Sequence, residues 1–155
     1  MKKLIIALMA LVLVFSFAAC GGQEKVELDL DAIGAEISKA GLFLDTELQP
    51  VAAESIAGMV GLDSSLYVSA QYYMGAGATG EEWGLFECAD AKSAESLVAQ
   101  LETHRDDLLS TYESYAPDAV PRIENAVIMS KGQYVVFITA EQYEQAQKLA
   151  ESYFA

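Results

Sequence analysis

Ala126-Val127-Ile128-Met129-Ser130-Lys131-Gly132-Gln133-Tyr134-Val135-Val136-Phe137-Ile138-Thr139 is the stretch from which the fold follows. Two runs rich in β-branched and large apolar residues, Ala126 to Ser130 and Gln133 to Thr139, flank Lys131-Gly132. A glycine in so short a connection between such runs predicts a β-hairpin. The second run is apolar at every position from Tyr134 to Ile138, whereas a strand with one solvated face alternates. Either the early helices of the chain or a partner must cover the second face of that sheet, and the helices are the preferred reading.

Outward from the hairpin, one plan is used twice. Downstream, Thr139 and Gln142 fit a capping box opening a helix with Tyr143, Ala146, Leu149, Ala150 and Tyr153 inward. Upstream, Tyr67 to Met74 and Trp83 to Cys88 read as two strands joined by a Gly-rich loop. Asp90 then caps a long helix whose stripe is Ala94, Leu97, Val98, Leu101, Leu108 and Tyr112. Pro117 and Pro121 are expected outside helices. Two shorter helices precede all this. Asp29 or Asp31 caps the first, which carries Ile33, Ile37 and Ala40 and ends at Gly41. The second follows Pro50, with Ile56 and Met59-Val60 as its contacts and Gly61 as its stop. The expected fold is α+β: a four-stranded antiparallel sheet with helices packed on it, built as strand-strand-helix twice after two N-terminal helices.

The beginning of the chain reads as an address. Met1-Lys2-Lys3 is a basic start, Leu4 to Phe17 is an apolar run of signal-peptide length, and Phe17-Ala18-Ala19-Cys20-Gly21 matches a lipobox. Residues 1–19 are therefore expected to be a signal peptide, and 20–25 a lipidated Cys20 with a short tether. Residues 26–155 make a single α+β domain, a length that suits one hydrophobic core. The Cys20 thiol can take a diacylglycerol thioether and its freed amine a palmitate-type chain, and two or three acyl chains anchor stably where one does not. An ordinary secretory peptide or an uncleaved anchor helix are the alternatives; each also puts the domain outside the cytoplasm.

Charge and cysteine content narrow the partners. The formal net charge is −14, and −16 without Lys2 and Lys3. No basic stripe is present to neutralise phosphates, so nucleic acid is excluded as a partner. Anionic headgroups would also repel such a surface, which leaves membrane attachment to the acyl chains. With Cys20 acylated, Cys88 has no second cysteine to pair with and reads as a small buried hydrophobe.

No constellation in the sequence amounts to catalysis. Gly75-Ala76-Gly77-Ala78-Thr79-Gly80 spells a dinucleotide fingerprint, but Glu81-Glu82 follow and would repel a pyrophosphate. The next residues read as a strand, so the segment is taken as a connecting loop. His104 stands alone beside Arg105 and Asp106 and reads as an exposed helix residue, with no second ligand for a metal. Glu81 and Glu82, adjacent on a strand, would point to opposite faces. No serine occupies a nucleophile motif, and neither Asp29 with Asp31 nor Asp106 with Asp107 has calcium-loop spacing. No cofactor is expected. Tyr72, Tyr73, Trp83 and Tyr134 make a candidate recognition surface for a peptide or glycan if they share an exposed sheet face, although core packing also accounts for them.

With these segments laid out, the chain resembles the domain-of-unknown-function family 4358 of small bacterial lipoproteins. The resemblance rests on Gly77-Ala78-Thr79-Gly80-Glu81-Glu82-Trp83-Gly84-Leu85-Phe86 and on Tyr115-Ala116-Pro117-Asp118-Ala119-Val120-Pro121-Arg122-Ile123-Glu124-Asn125-Ala126-Val127. It continues through Lys131-Gly132-Gln133-Tyr134-Val135-Val136 and runs from about Val26 to the C-terminus. Trp83 and Gly84 stand where smaller aliphatics are expected. The family implies a lipobox and an α+β domain, and it carries no assigned activity. The expectation is a membrane-tethered extracytoplasmic lipoprotein of the bacterial cell envelope, a non-catalytic binding or accessory module for an envelope protein, peptide or glycan. An envelope hydrolase or a self-associating structural lipoprotein is the alternative.

Overall fold

A computed structural model describes residues 26–44 and 48–155. The segments expected to be a signal peptide, a lipidated Cys20 and a tether lie outside the described residues. Five α-helices and five strands are described: α1 Leu30–Lys39, β1 Gln49–Pro50, α2 Ala53–Val60, β2 Tyr67–Met74, β3 Glu82–Cys88, α3 Ala91–Tyr115, α4 Val120–Glu124, β4 Val127–Lys131, β5 Tyr134–Thr139 and α5 Tyr143–Phe154. The strands form one antiparallel sheet in the order β1-β2-β3-β5-β4. The α+β class is present, but the expected layout of two helices followed by strand-strand-helix twice is not matched exactly: β1 falls between α1 and α2, and α4 stands between α3 and the second hairpin. The sheet has five strands rather than four, because Gln49 and Pro50 pair with Met74 and Tyr73. That pairing is too short for any alternation to announce it in the sequence.

Helices cover both faces. On one side α1 and α5 bury Ile33, Ile37, Ala146, Ala150 and Phe154 against Trp83, Leu85, Val136 and Ile138. On the other, α2 and α3 bury Ile56, Val60, Leu97 and Leu101 against Tyr72, Phe86, Val135 and Phe137. Every residue of β5 is buried, which is why that strand shows no polar position. Consecutive residues of a strand face opposite sides, so β3 supplies Trp83 and Leu85 to one core and Phe86 and Cys88 to the other. Burying a large apolar side chain contributes about 1.5–3 kcal/mol, so both layers are needed to hold the central strands.

Local rules account for the helix ends. Asp29 Oδ1 accepts from Ala32 N at 3.0 Å, and Asp90 Oδ1 accepts from Ser93 N at 2.7 Å, satisfying backbone donors that the first turns leave unpaired. Gly61 stops α2 in the left-handed region with φ 76°. Three expectations fail in detail. Met59 is exposed, leaving Ile56 and Val60 as the contacts of α2. Pro117 opens a 3-10 turn and Pro121 sits in the first turn of α4, where a missing N–H costs nothing. Thr139 caps no helix; it belongs to the sheet end described next, and α5 begins after Gln142 without a side-chain cap.

Two close approaches set the layer spacing. A Cβ on Gly34 would lie 2.6 Å from Gln71 Oε1 and 3.1 Å from Trp83 Cη2, so this glycine lets α1 lie flat over the indole. A Cβ on Gly84 would lie 2.6 Å from the Tyr72 ring and 2.8 Å from the Phe86 ring. The unusual Trp83-Gly84 pair thus has a reason: the indole fills one face and the missing side chain makes room on the other.

Candidate functional site

Ionisable side chains gather at one end of the sheet, where the β2–β3 loop meets the end of β5. α3 has 25 residues and so is about 37 Å long, roughly twice the length of the strands, and its second half passes over this loop. Gly80 adopts φ 67°, and a Cβ there would lie 2.9 Å from Ile123 Cδ1. Only glycine suits that turn.

Glu81 and Glu82 are both 2 % exposed and, as the strand dictates, diverge. Glu81 Oε1 accepts from the backbone N–H groups of Leu44 (2.8 Å) and Glu141 (3.1 Å), tying the chain after α1 to the chain after β5. Glu82 turns toward α3, where its Oε1 lies 2.6 Å from His104 Nε2. Thr139 Oγ1 donates to Gly80 O at 2.7 Å and accepts from Glu82 N at 3.0 Å. Arg122, 8 % exposed, donates to Glu141 Oε2 and, at 2.8 Å, to Thr79 O. Most of these bonds involve backbone atoms, so the cluster fixes the paths of three loops.

The buried Glu82 carboxylate also acts on its neighbours. Burial first, and then the Glu82 charge and contact, hold the Tyr72 phenol well above its ordinary range. Tyr112 is raised by the same two causes, with the Gly80 N–H opposing them. Tyr72 Oη and Glu82 Oε2 are buried yet make no regular hydrogen bond. Glu82 also lines a small cavity of about 30 Å³ with Met74, Gly75, Gly77, Gly80, Leu108 and Tyr112. That volume has room for a water and none for an organic substrate.

The structure relocates several residues singled out in the sequence. His104 is buried rather than exposed, at 9 %. Its signal was present, since it stands three residues after Leu101 and four before Leu108, inside the apolar stripe. The four aromatics proposed as a recognition surface do not share one. Tyr72 packs in the α2–α3 core, while Trp83 and Tyr134 are buried in the α1–α5 core, where Tyr73 stacks on Trp83 at 4.4 Å between centroids. Tyr73 is half-buried and the other three are buried. Cys88 is 1 % exposed, and burial, with Asp90 and Glu87 behind it, pushes its thiol up to about 11. The Gly75–Gly80 segment is a loop between antiparallel strands, with no helix N-terminus after it to receive a phosphate. Arg122 and Glu141 were missed, and Thr139 was read as a helix cap, because nothing local marks residues that meet only in three dimensions. Among the described residues, no group of three or more His, Cys, Asp and Glu side chains converges to hold a metal, and no helix is long and apolar enough to cross a membrane.

The molecule defined by these features is a small α+β domain with one antiparallel sheet between two helical layers, closed at one end by a buried polar clamp. No curated protein and no solved structure matches it. The chain belongs to the family described as Domain of unknown function (DUF4358), which matches residues 44–140, more than half of its length. The match includes both hairpins and all of the clamp but Glu141, and it stops short of α1 and α5, so it is narrower than the expected span from Val26 to the C-terminus.

Proposed function

We propose that this chain is a lipoprotein tethered to the bacterial cell membrane through acyl chains on Cys20, and that its domain is a non-catalytic binding or accessory module of the cell envelope. The carrying observation is the order of basic start, apolar run and Ala18-Ala19-Cys20-Gly21. The acidic domain gives the membrane no other electrostatic reason to hold it. Its partner is an envelope protein, a peptide or a glycan.

One observation favours the second reading, an envelope hydrolase: the Glu82–His104 pair at 2.6 Å has the make-up of a general acid–base unit. A water-sized cavity beside it supports a structural role better than substrate turnover. The test of the main reading is intact-mass analysis of the membrane-extracted protein and its Cys20→Ser variant. The parent should start at Cys20 and carry a diacylglyceryl group, with the variant unlipidated. An unmodified parent would remove the reading. Crosslinking in cells, followed by mass spectrometry, then identifies the partner.

A further inference from the structure

We infer that the β4–β5 turn end of the sheet faces the bilayer, and that the clamp end, with the Gly75–Gly80 loop, is held away from it. This inference rests on the lipoprotein reading and adds an orientation to it. Val26, the first described residue, packs in the α1–α5 core at the hairpin turn, and a Cβ on Gly132 would lie 3.3 Å from its Cβ. Cys20 precedes Val26 by six residues, which can reach at most about 20 Å. The domain is therefore tied to its anchor at the turn.

The sheet register carries that placement through the molecule. β3 pairs Glu87 with Tyr134 at the turn end and Glu82 with Thr139 at the clamp end, and those two ends lie about 17 Å apart along the strands. α1 runs the same way, starting after Val26 and leading to Leu44, whose N–H is bound by Glu81. The C-terminus belongs to the turn end, where Lys131 Nζ donates to the carbonyls of Tyr153 and Ala155.

The away-facing end differs in surface chemistry from the rest of this acidic protein. Of the four large apolar side chains that are most exposed, Leu44, Met59 and Tyr115 lie there, and only Val68 does not. Leu44 is placed by its bond to Glu81, and Tyr115 by its ring contact with Tyr112 beside the loop. Met59 lines an open groove of about 350 Å³ with Pro50, Val51, Met74 and Ala76, and no charged residue lines it. The end turned outward thus carries three of these four exposed apolar side chains and a groove with an uncharged lining.

The experiment uses the full-length protein, lipidated in cells, purified and reconstituted into vesicles containing an acceptor-labelled headgroup lipid. Gln133→Cys marks the turn end and Ala78→Cys the clamp end; Glu27→Cys and Tyr115→Cys are second sites should either variant misfold. Each is labelled with a maleimide donor, which the buried Cys88 does not compete for. Energy transfer to the headgroups should be at least about threefold stronger from the turn-end sites, given an offset near 17 Å. Equal or reversed transfer from a protein whose mass shows acylated Cys20 would overturn the orientation and leave the lipoprotein reading intact. A mass without acyl groups would overturn both.

Discussion

At the scale of single residues, the protein is most exposed to change where charge is buried. Glu82 keeps its carboxylate 2 % exposed because His104 meets one oxygen at 2.6 Å. Removing one partner leaves an uncompensated group in the core, so His104→Ala should lower stability by about 3 kcal/mol in urea titration. Replacing both, as Glu82→Met with His104→Leu, should cost clearly less than the two single changes added together. An additive pair would show that the two side chains do not act as a unit. Cys88 makes a separate prediction. Its thiol is held at about 11 against an ordinary 9.0, so between those values the unfolded chain loses its proton while the folded one keeps it. The thiol's contribution is complete below pH 9 and is lost as pH climbs to about 11, a change on the order of 2 kcal/mol. Wild type should weaken over that window more than Cys88→Ala does, as measured by urea midpoints. Parallel pH curves would contradict the buried thiol.

At the scale of elements, the sequence was most legible where a period repeats. The residues of β2, the Asp90 cap and the stripe of α3 could be read because strands and amphipathic helices impose their spacing locally. β1 could not, since two residues carry no period. The capping box at Thr139 misled for a physical reason: the hydroxyl is better placed to join Gly80 and Glu82 across the sheet than to cap its own helix. The clamp was half legible. Glu81 and Glu82 stood out as adjacent carboxylates and His104 lay in the α3 stripe, but their burial depends on loops brought together from over 20 to 60 residues away. Gly84 provides the test at this scale. Gly84→Ala would force a Cβ into the Tyr72 and Phe86 rings and should destabilise by about 2 kcal/mol, with loss of helical circular dichroism at a lower denaturant concentration. A neutral substitution would mean that the α3 layer can lift off the sheet at little cost.

For the whole molecule, the decisive fact is that two cores share one sheet. Each core has a built-in reporter: the single tryptophan, Trp83, on the α1–α5 side and the buried thiol of Cys88 on the α2–α3 side. Because β3 and β5 contribute alternate residues to both, neither layer can be lost while the other keeps its strands. Tryptophan fluorescence and thiol reactivity should therefore report one coincident unfolding transition in urea. Separate midpoints would show that α1 and α5, which lie beyond the family match, form an independently melting layer.

β5 is the last of the described strands yet lies inside the sheet, between β3 and β4. A chain that emerges N-terminus first must hold the edge of β3 open until residue 139 has arrived, with some fifty residues, α3 among them, already waiting. A C-terminal truncation before Thr139 should leave β3 with an unpaired, association-prone edge. The final fifth of the polypeptide, which carries β4, β5 and α5, is what closes the open edge of everything built before it.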